Sequence, residues 1–139
     1  MNIKFIAALL LVFPFSSMCF ALSENPGTAA ISIVKNHPNN LGTPCREVPK
    51  AVEQMIKYKD SLYNSKSTIS DIWQAAPDGS KYTVTLSFAI DTSFTVDTVS
   101  VGYAWHPKFA WVVDIKNKSV SAANAMTQIW MGTGKIRTP

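Results

Sequence analysis

The apolar positions of this chain change period near its middle: between Ala29 and Ile56 they fall at helical spacing, and from Thr68 to Ile115 they alternate. Ala29, Ala30, Ile31, Ile33 and Val34 predict a short first helix, capped by Thr28 and ending near Asn36. The turn formers from His37 to Pro44 predict a loop after it. A second helix is expected from about Val48, where Pro49 suits a first turn and Val52, Met55 and Ile56 share one face. It should fade into the polar stretch Lys57 to Ser67.

In the second half, Tyr82, Val84, Leu86, Phe88 and Ile90 point one way while Thr83, Thr85, Ser87 and Ala89 point the other, as in a sheet with one buried face. The turn signal from Ala76 to Ser80 makes Thr68 to Ala75 the hairpin partner. A third strand, Val96 to Trp105, carries Val99, Val101, Tyr103 and Trp105 on its apolar side. His106-Pro107-Lys108 reads as the next turn, and Phe109, Trp111, Val113 and Ile115 continue the buried face in a fourth strand. Ala122, Met126, Ile129 and Trp130 return to helical spacing behind a Ser121 cap and stop at Gly132.

These elements define an α+β fold: two helices packed on one face of a four-stranded antiparallel meander, with a short C-terminal helix. The layout resembles that of helix-helix-sheet modules in some secreted β-lactamase inhibitor proteins and small envelope-assembly lipoproteins. Such a resemblance implies a fold and no particular activity.

The amino end adds a compartment. Met1 to Lys4 is a short n-region with one positive charge, Phe5 to Phe15 is an apolar h-region, and Ser16 to Ala21 ends in small residues. Residues 1–21 are therefore expected to be a signal peptide cleaved after Ala21, with Leu22 as the mature terminus. The apolar run falls short of the roughly 20 residues a stable transmembrane anchor needs, and Ser16 and Met18 disfavour lipid attachment at Cys19. The expected organisation is a flexible leader at 22–27, a single domain at 28–131 and a flexible tail at 132–139. The protein should be periplasmic or secreted.

Charge and cysteine content narrow this further. The 139 residues carry 13 Lys and Arg against 9 Asp and Glu, a net charge of +4 that loses Lys4 with the signal. So mild and scattered a balance argues against a nucleic-acid partner. Once Cys19 is removed, Cys45 has no intramolecular disulfide partner, whereas small domains secreted by animals and plants usually depend on several bridges. A bacterial envelope protein is the expectation, with Cys45 buried as a small apolar residue.

Candidate chemistry is sparse. Cys45 ahead of a helix and His106 in a strand turn are the parts a cysteine hydrolase would need. Thr43-Pro44-Cys45-Arg46, however, lacks the acidic and small neighbours of the envelope peptidases with that arrangement. His37, His106 and Cys45 have no metal-ligand spacing, and no phosphate loop, dinucleotide fingerprint or nucleophile elbow is present. The residues give no catalytic set and no cofactor.

One feature stands apart. The polar face of the predicted sheet carries Thr83, Thr85, Ser87, Ala89, Thr98, Ser100, Gly102, Ala104, Ala110 and Val112, small and uncharged, with Trp105 partly exposed at a strand end. Solvated sheet faces normally hold lysines and glutamates that discourage association. Thr85, Ser87, Ser100, Gly102, Ala104 and Trp105 are accordingly the candidate binding residues. The expected function is that of a non-catalytic periplasmic protein-binding module of the inhibitor, immunity or envelope-machine accessory type, with a protein partner in the envelope or a second copy of itself. The alternatives are a small-ligand binder with a pocket near Trp105 and Trp130, and a Cys45-dependent hydrolase.

Overall fold

The computed structural model describes residues 25–133, so the expected signal peptide and the end of the tail lie outside the described residues. Helix α1 (Pro26–Asn36) opens the domain. It starts earlier than Thr28 because Asn25 caps it, its side chain accepting from the Gly27 N–H at 2.8 Å, with Pro26 in the first turn. Pro26 and Gly27 thus belong to the helix, not to the leader. A loop and a short 3₁₀ turn (Cys45–Glu47) lead into α2 (Val48–Tyr63). This helix runs through the polar stretch to Asn64, whose left-handed backbone (φ 50) ends it.

Five strands follow: β1 (Lys66–Asp78), β2 (Lys81–Val96), β3 (Val99–Trp105), β4 (Lys108–Asp114) and β5 (Ser119–Ala122), then α3 (Ala125–Met131). The fold is α+β with helices on one face of an antiparallel sheet, as the periodicity implies, but with five strands in place of four. The additional strand is β5, which pairs with the end of β4 from Trp111↔Ala122 to Asp114↔Ser119. The last helix begins later than Ser121 suggests, because Asn124 is its cap and accepts from the Thr127 N–H at 2.9 Å.

β2 organises the sheet. One edge pairs along its whole length with β1, from Asp78↔Lys81 to Lys66↔Ser93. The other edge is shared end to end: Tyr82 to Ser87 pair with β4, and Ile90 to Val96 pair with β3. His106-Pro107-Lys108 is therefore not a hairpin turn. The register is the same on both sides of it, Ile90↔Trp105 and Ser87↔Lys108, and the Phe88 N–H still bonds the Pro107 carbonyl at 3.0 Å. β3 and β4 form one long strand interrupted at a residue that has no N–H to give. The true turn is Asp97-Thr98, both at positive φ (47 and 69), so Thr98 leaves the sheet face on which its parity placed it.

The core lies between the helices and the even-numbered positions of β2. Val84, Leu86, Phe88 and Ile90 meet Ala30 and Val34 of α1, Val48, Val52 and Ile56 of α2, and Trp111 and Val113 of β4. Trp111 is fully buried at the centre, stacked against Trp73 (5.6 Å) on one side and Phe109 (6.1 Å) on the other. Lys35 of α1 sits 5.2 Å over the Trp73 ring, which ties the helix to the edge strand. Gly132 closes α3 at φ 76, and any side chain there would collide with Asn40 in the loop after α1.

Candidate binding surface

The helices pack chiefly on β1, β2 and β4, and reach β3 only through Lys59 of α2 at Tyr103 and through the helix residues that face Trp105. All seven residues of β3 are exposed, although Val99, Val101, Tyr103 and Trp105 occupy its helix-side positions, with 60, 39, 47 and 40% of their surface open. Val96 is exposed beside them and Phe94 is half-buried. From the helix layer, Met55, Tyr58, Leu62 and Tyr63 of α2 are also exposed. An apolar surface is thus carried on the projecting β2–β3 hairpin and the neighbouring flank of α2. The sequence pattern identified the odd positions of β3 as apolar-facing, but alternation alone does not say how far a helix extends over a strand.

The opposite, open face holds the neutral residues. Pairing places Thr85 against Gln74 and Ala110, and Ser87 against Ile72 and Lys108, so a lysine interrupts the neutral patch at its middle. Ser100 pairs with Thr95 and Gly102 with Ser93, eight and six positions along β2 from Ser87. At about 3.3 Å per residue, Ser87 and Ser100 are some 25 Å apart along the sheet. The candidate residues therefore divide into a mid-sheet pair, Thr85 and Ser87, both partly covered, and a hairpin group, Ser100, Gly102, Ala104 and Trp105, all exposed. An open concavity of about 500 Å³ near Lys66, Asp91, Ser93, Gly102 and Ala104 lies at the hairpin group.

A smaller apolar cavity of about 250 Å³ opens between α2, α3 and the sheet, lined by Met55, Trp105, Pro107, Phe109, Met126 and Trp130. Trp105 thus contributes to both the hairpin surface and this cavity.

Cys45 and His106 do not meet. Cys45 is enclosed in the helix-side core, its Sγ 3.8 Å from the Met131 sulfur. His106 is exposed, and the strand register turns it to the opposite face. Burial pushes the Cys45 thiol up, against the pull of the indole N–H groups of Trp130 and Trp111 that approach the sulfur. Neither indole nitrogen reaches a partner at ordinary hydrogen-bond geometry. A thiol held this way is a poor nucleophile. Among the described residues, no three His, Cys, Asp or Glu side chains converge on a common point, and no helix is long and apolar enough to cross a membrane.

One polar cluster escaped the sequence reading. Lys59 Nζ donates to Thr92 Oγ1 (2.9 Å) and Tyr103 Oη (3.0 Å), and lies 3.5 Å from Asp60 Oδ1. Asp60 in turn accepts from Ser65 Oγ (2.6 Å) and Ser67 Oγ (2.8 Å). The cluster fastens the end of α2 to the start of β1 and to the hairpin, and so fixes where the apolar residues of β3 stand relative to the helix. Tyr103 is held below the usual phenol range, first by the Lys59 hydrogen bond and then by Thr92. For Asp60, partial burial acts upward, but the hydrogen bonds from Ser65 and Ser67 and the Lys59 charge outweigh it and hold the carboxyl below its ordinary value.

A carboxylate with a lower pKa folded than unfolded adds stability that is fully present above the unfolded value and is lost as pH falls through the folded one. Thermal melts of the wild type and Asp60→Asn should therefore differ most at neutral pH, with the wild type higher. The gap should close as pH falls through and below the ordinary carboxylate range. A gap that stays constant with pH would show that the Asp60 charge does not contribute.

No protein-family model matches the chain, and no curated protein or solved structure matches it either.

Proposed function

We propose that this chain is a non-catalytic protein-binding module of the bacterial periplasm, and that it binds through the β2–β3 hairpin. The observation that carries this reading is the exposure of Val99, Val101, Tyr103 and Trp105 on the helix side of β3, where the fold's own helices cover them only in part. Large apolar side chains grouped on one projecting element, next to further exposed residues of α2, mark an interaction site. Aromatic anchors such as Tyr103 and Trp105 are the residue types that dominate binding energy at interfaces. The periplasmic placement rests on the export signature of residues 1–21 and on the lone Cys45 of the mature chain.

The test is co-purification from the native envelope, comparing the wild type with a Val99→Glu/Val101→Glu variant. Both positions are exposed, so the melting temperature should hold. Recovery of the partner should fall by about tenfold or more, since desolvating a carboxylate against an apolar surface exceeds the 1.4 kcal/mol that a factor of ten represents. Undiminished recovery by the folded variant would overturn the reading of the hairpin as the site for a foreign envelope partner.

The cavity beneath Trp105 and Trp130 supports a second reading, a small apolar ligand. At about 250 Å³ it lies below the 300–1,000 Å³ typical of ligand pockets, which makes this the weaker of the two.

A further inference from the structure

We infer that the hairpin's partner is a second copy of this chain, joined edge to edge through β3 in a two-fold antiparallel pair centred on Gly102. The inference rests on the reading of the hairpin as an interaction surface and names what occupies it.

The backbone supplies the first argument. The edge of the β3–β4 strand away from β2 is closed along β4 and open along β3. Asn124 Nδ2 donates to the Lys108 carbonyl (2.8 Å), Thr127 Oγ1 accepts from the Ala110 N–H (2.7 Å), the Ala123 N–H bonds the Ala110 carbonyl (2.8 Å), and β5 takes over from Trp111. That closure ends at Lys108. Among the described residues, no strand pairs with β3 on this side.

The side chains supply the second. Edge strands are normally blunted by a lysine, a proline, a bulge or a cover. From Val99 to Trp105 β3 has no charged residue and no proline, and its pairing with β2 runs without a bulge. It is the exposed, uncharged and regular edge that strand addition requires.

Register decides the occupant. In an antiparallel pair related by a two-fold axis through Gly102, Val101 lies opposite the partner copy's Tyr103, Val99 opposite its Trp105, and Ser100 opposite its Ala104. Every apolar position then meets an apolar one on the helix side, and every small neutral position meets a small neutral one on the open face. All seven residues overlap and no like charges are set opposite each other, so the strand is complementary to itself, as an isologous interface demands.

The experiment uses the purified mature protein. Sedimentation velocity should show a concentration-dependent dimer. Gly102→Cys should oxidise readily to a disulfide-linked dimer, because the axis sets position 102 opposite its own copy at a Cα separation of about 4.5–5.5 Å, within disulfide range. Ser87→Cys, on the same open face but on a central strand, should not, and the buried Cys45 does not compete. Gly102→Lys should weaken the dimer by about tenfold or more by facing two ammonium groups across the axis. These variants are expected to fold, since a Cβ at Gly102 meets only the Thr92 carbonyl at 3.6 Å and the position is outside the left-handed region.

A wild type that stays monomeric at its highest soluble concentration would overturn the inference, as would a Gly102→Lys variant that dimerises like the wild type. Either result leaves the hairpin reading standing if Val99→Glu/Val101→Glu still loses an envelope partner. A dimer that forms while envelope recovery is indifferent to that variant would remove the foreign-partner reading alone.

Discussion

Trp111→Ala should cost about 3–5 kcal/mol, the range for truncating a fully buried large aromatic side chain. The indole lies between Trp73 and Phe109 with both ring planes tilted by only 17°, and Phe109 in turn meets Phe88 edge-on at 6.1 Å. Removing Trp111 breaks both stacked contacts and opens a cavity under α1 that main-chain movement cannot fill. Domains of this size are stable by about 5–15 kcal/mol, so the variant should lose about a fifth or more of its stability and unfold at lower urea. Trp111→Phe keeps a ring in the stack and removes an indole N–H that has no partner, so its penalty should be clearly smaller. Equal losses for the two variants would show that the site responds to the absence of the indole and not to the cavity.

Thr127→Val should cost about 1–3 kcal/mol, because it leaves a buried backbone donor unpaired without changing the side-chain volume much. Thr127 is fully buried, and its hydroxyl accepts from the Ala110 N–H at 2.7 Å while donating to Asn124 Oδ1 at 2.6 Å. It stands where a neighbouring strand would otherwise close the edge of β4. Thr127→Ser retains the oxygen and should be milder. Denaturant unfolding measures the loss, and amide exchange at Ala110 locates it. Unchanged exchange at Ala110 in Thr127→Val would place the hydroxyl's role elsewhere.

Much of the architecture was legible because it depends on period and on local chemistry. The alternation from Tyr82 to Ile90 is the buried face of β2, and Val52 and Ile56 share the buried side of α2. β5 was not legible. Ser119 to Ala122 is four residues long, and its Ala122 falls at helical spacing from Met126 and Ile129, so a strand and a helix start compete for one signal until pairing with Trp111 decides it. His106-Pro107 read as a turn because proline usually ends a strand. Here the register continues through it, which no local pattern records.

The proposed binding surface was only partly readable for a different reason. Composition marked Ser100, Gly102, Ala104 and Trp105 as unusual, but their isolation from Ser87 follows from strand register. The Lys59 cluster joins residues 33 and 44 positions apart, and its members look like ordinary surface polars in a chain where only the fold brings them together. The exposure of Val101 and Tyr103 depends on helix placement, a tertiary fact.

The shared edge of β2 also bears on how the sheet is assembled. β1 and β2 meet across the two residues Gly79-Ser80, and β2 meets the combined β3–β4 strand across Asp97-Thr98. Each ladder can close like a zip from its own tight turn, so neither has to bring together distant parts of the chain before its first pair forms, and the loop-closure entropy of both is small. The long-range search is confined to seating α1 and α2 on a sheet whose strand order is already set by local contacts, an economical arrangement for a β-rich domain that would otherwise fold slowly.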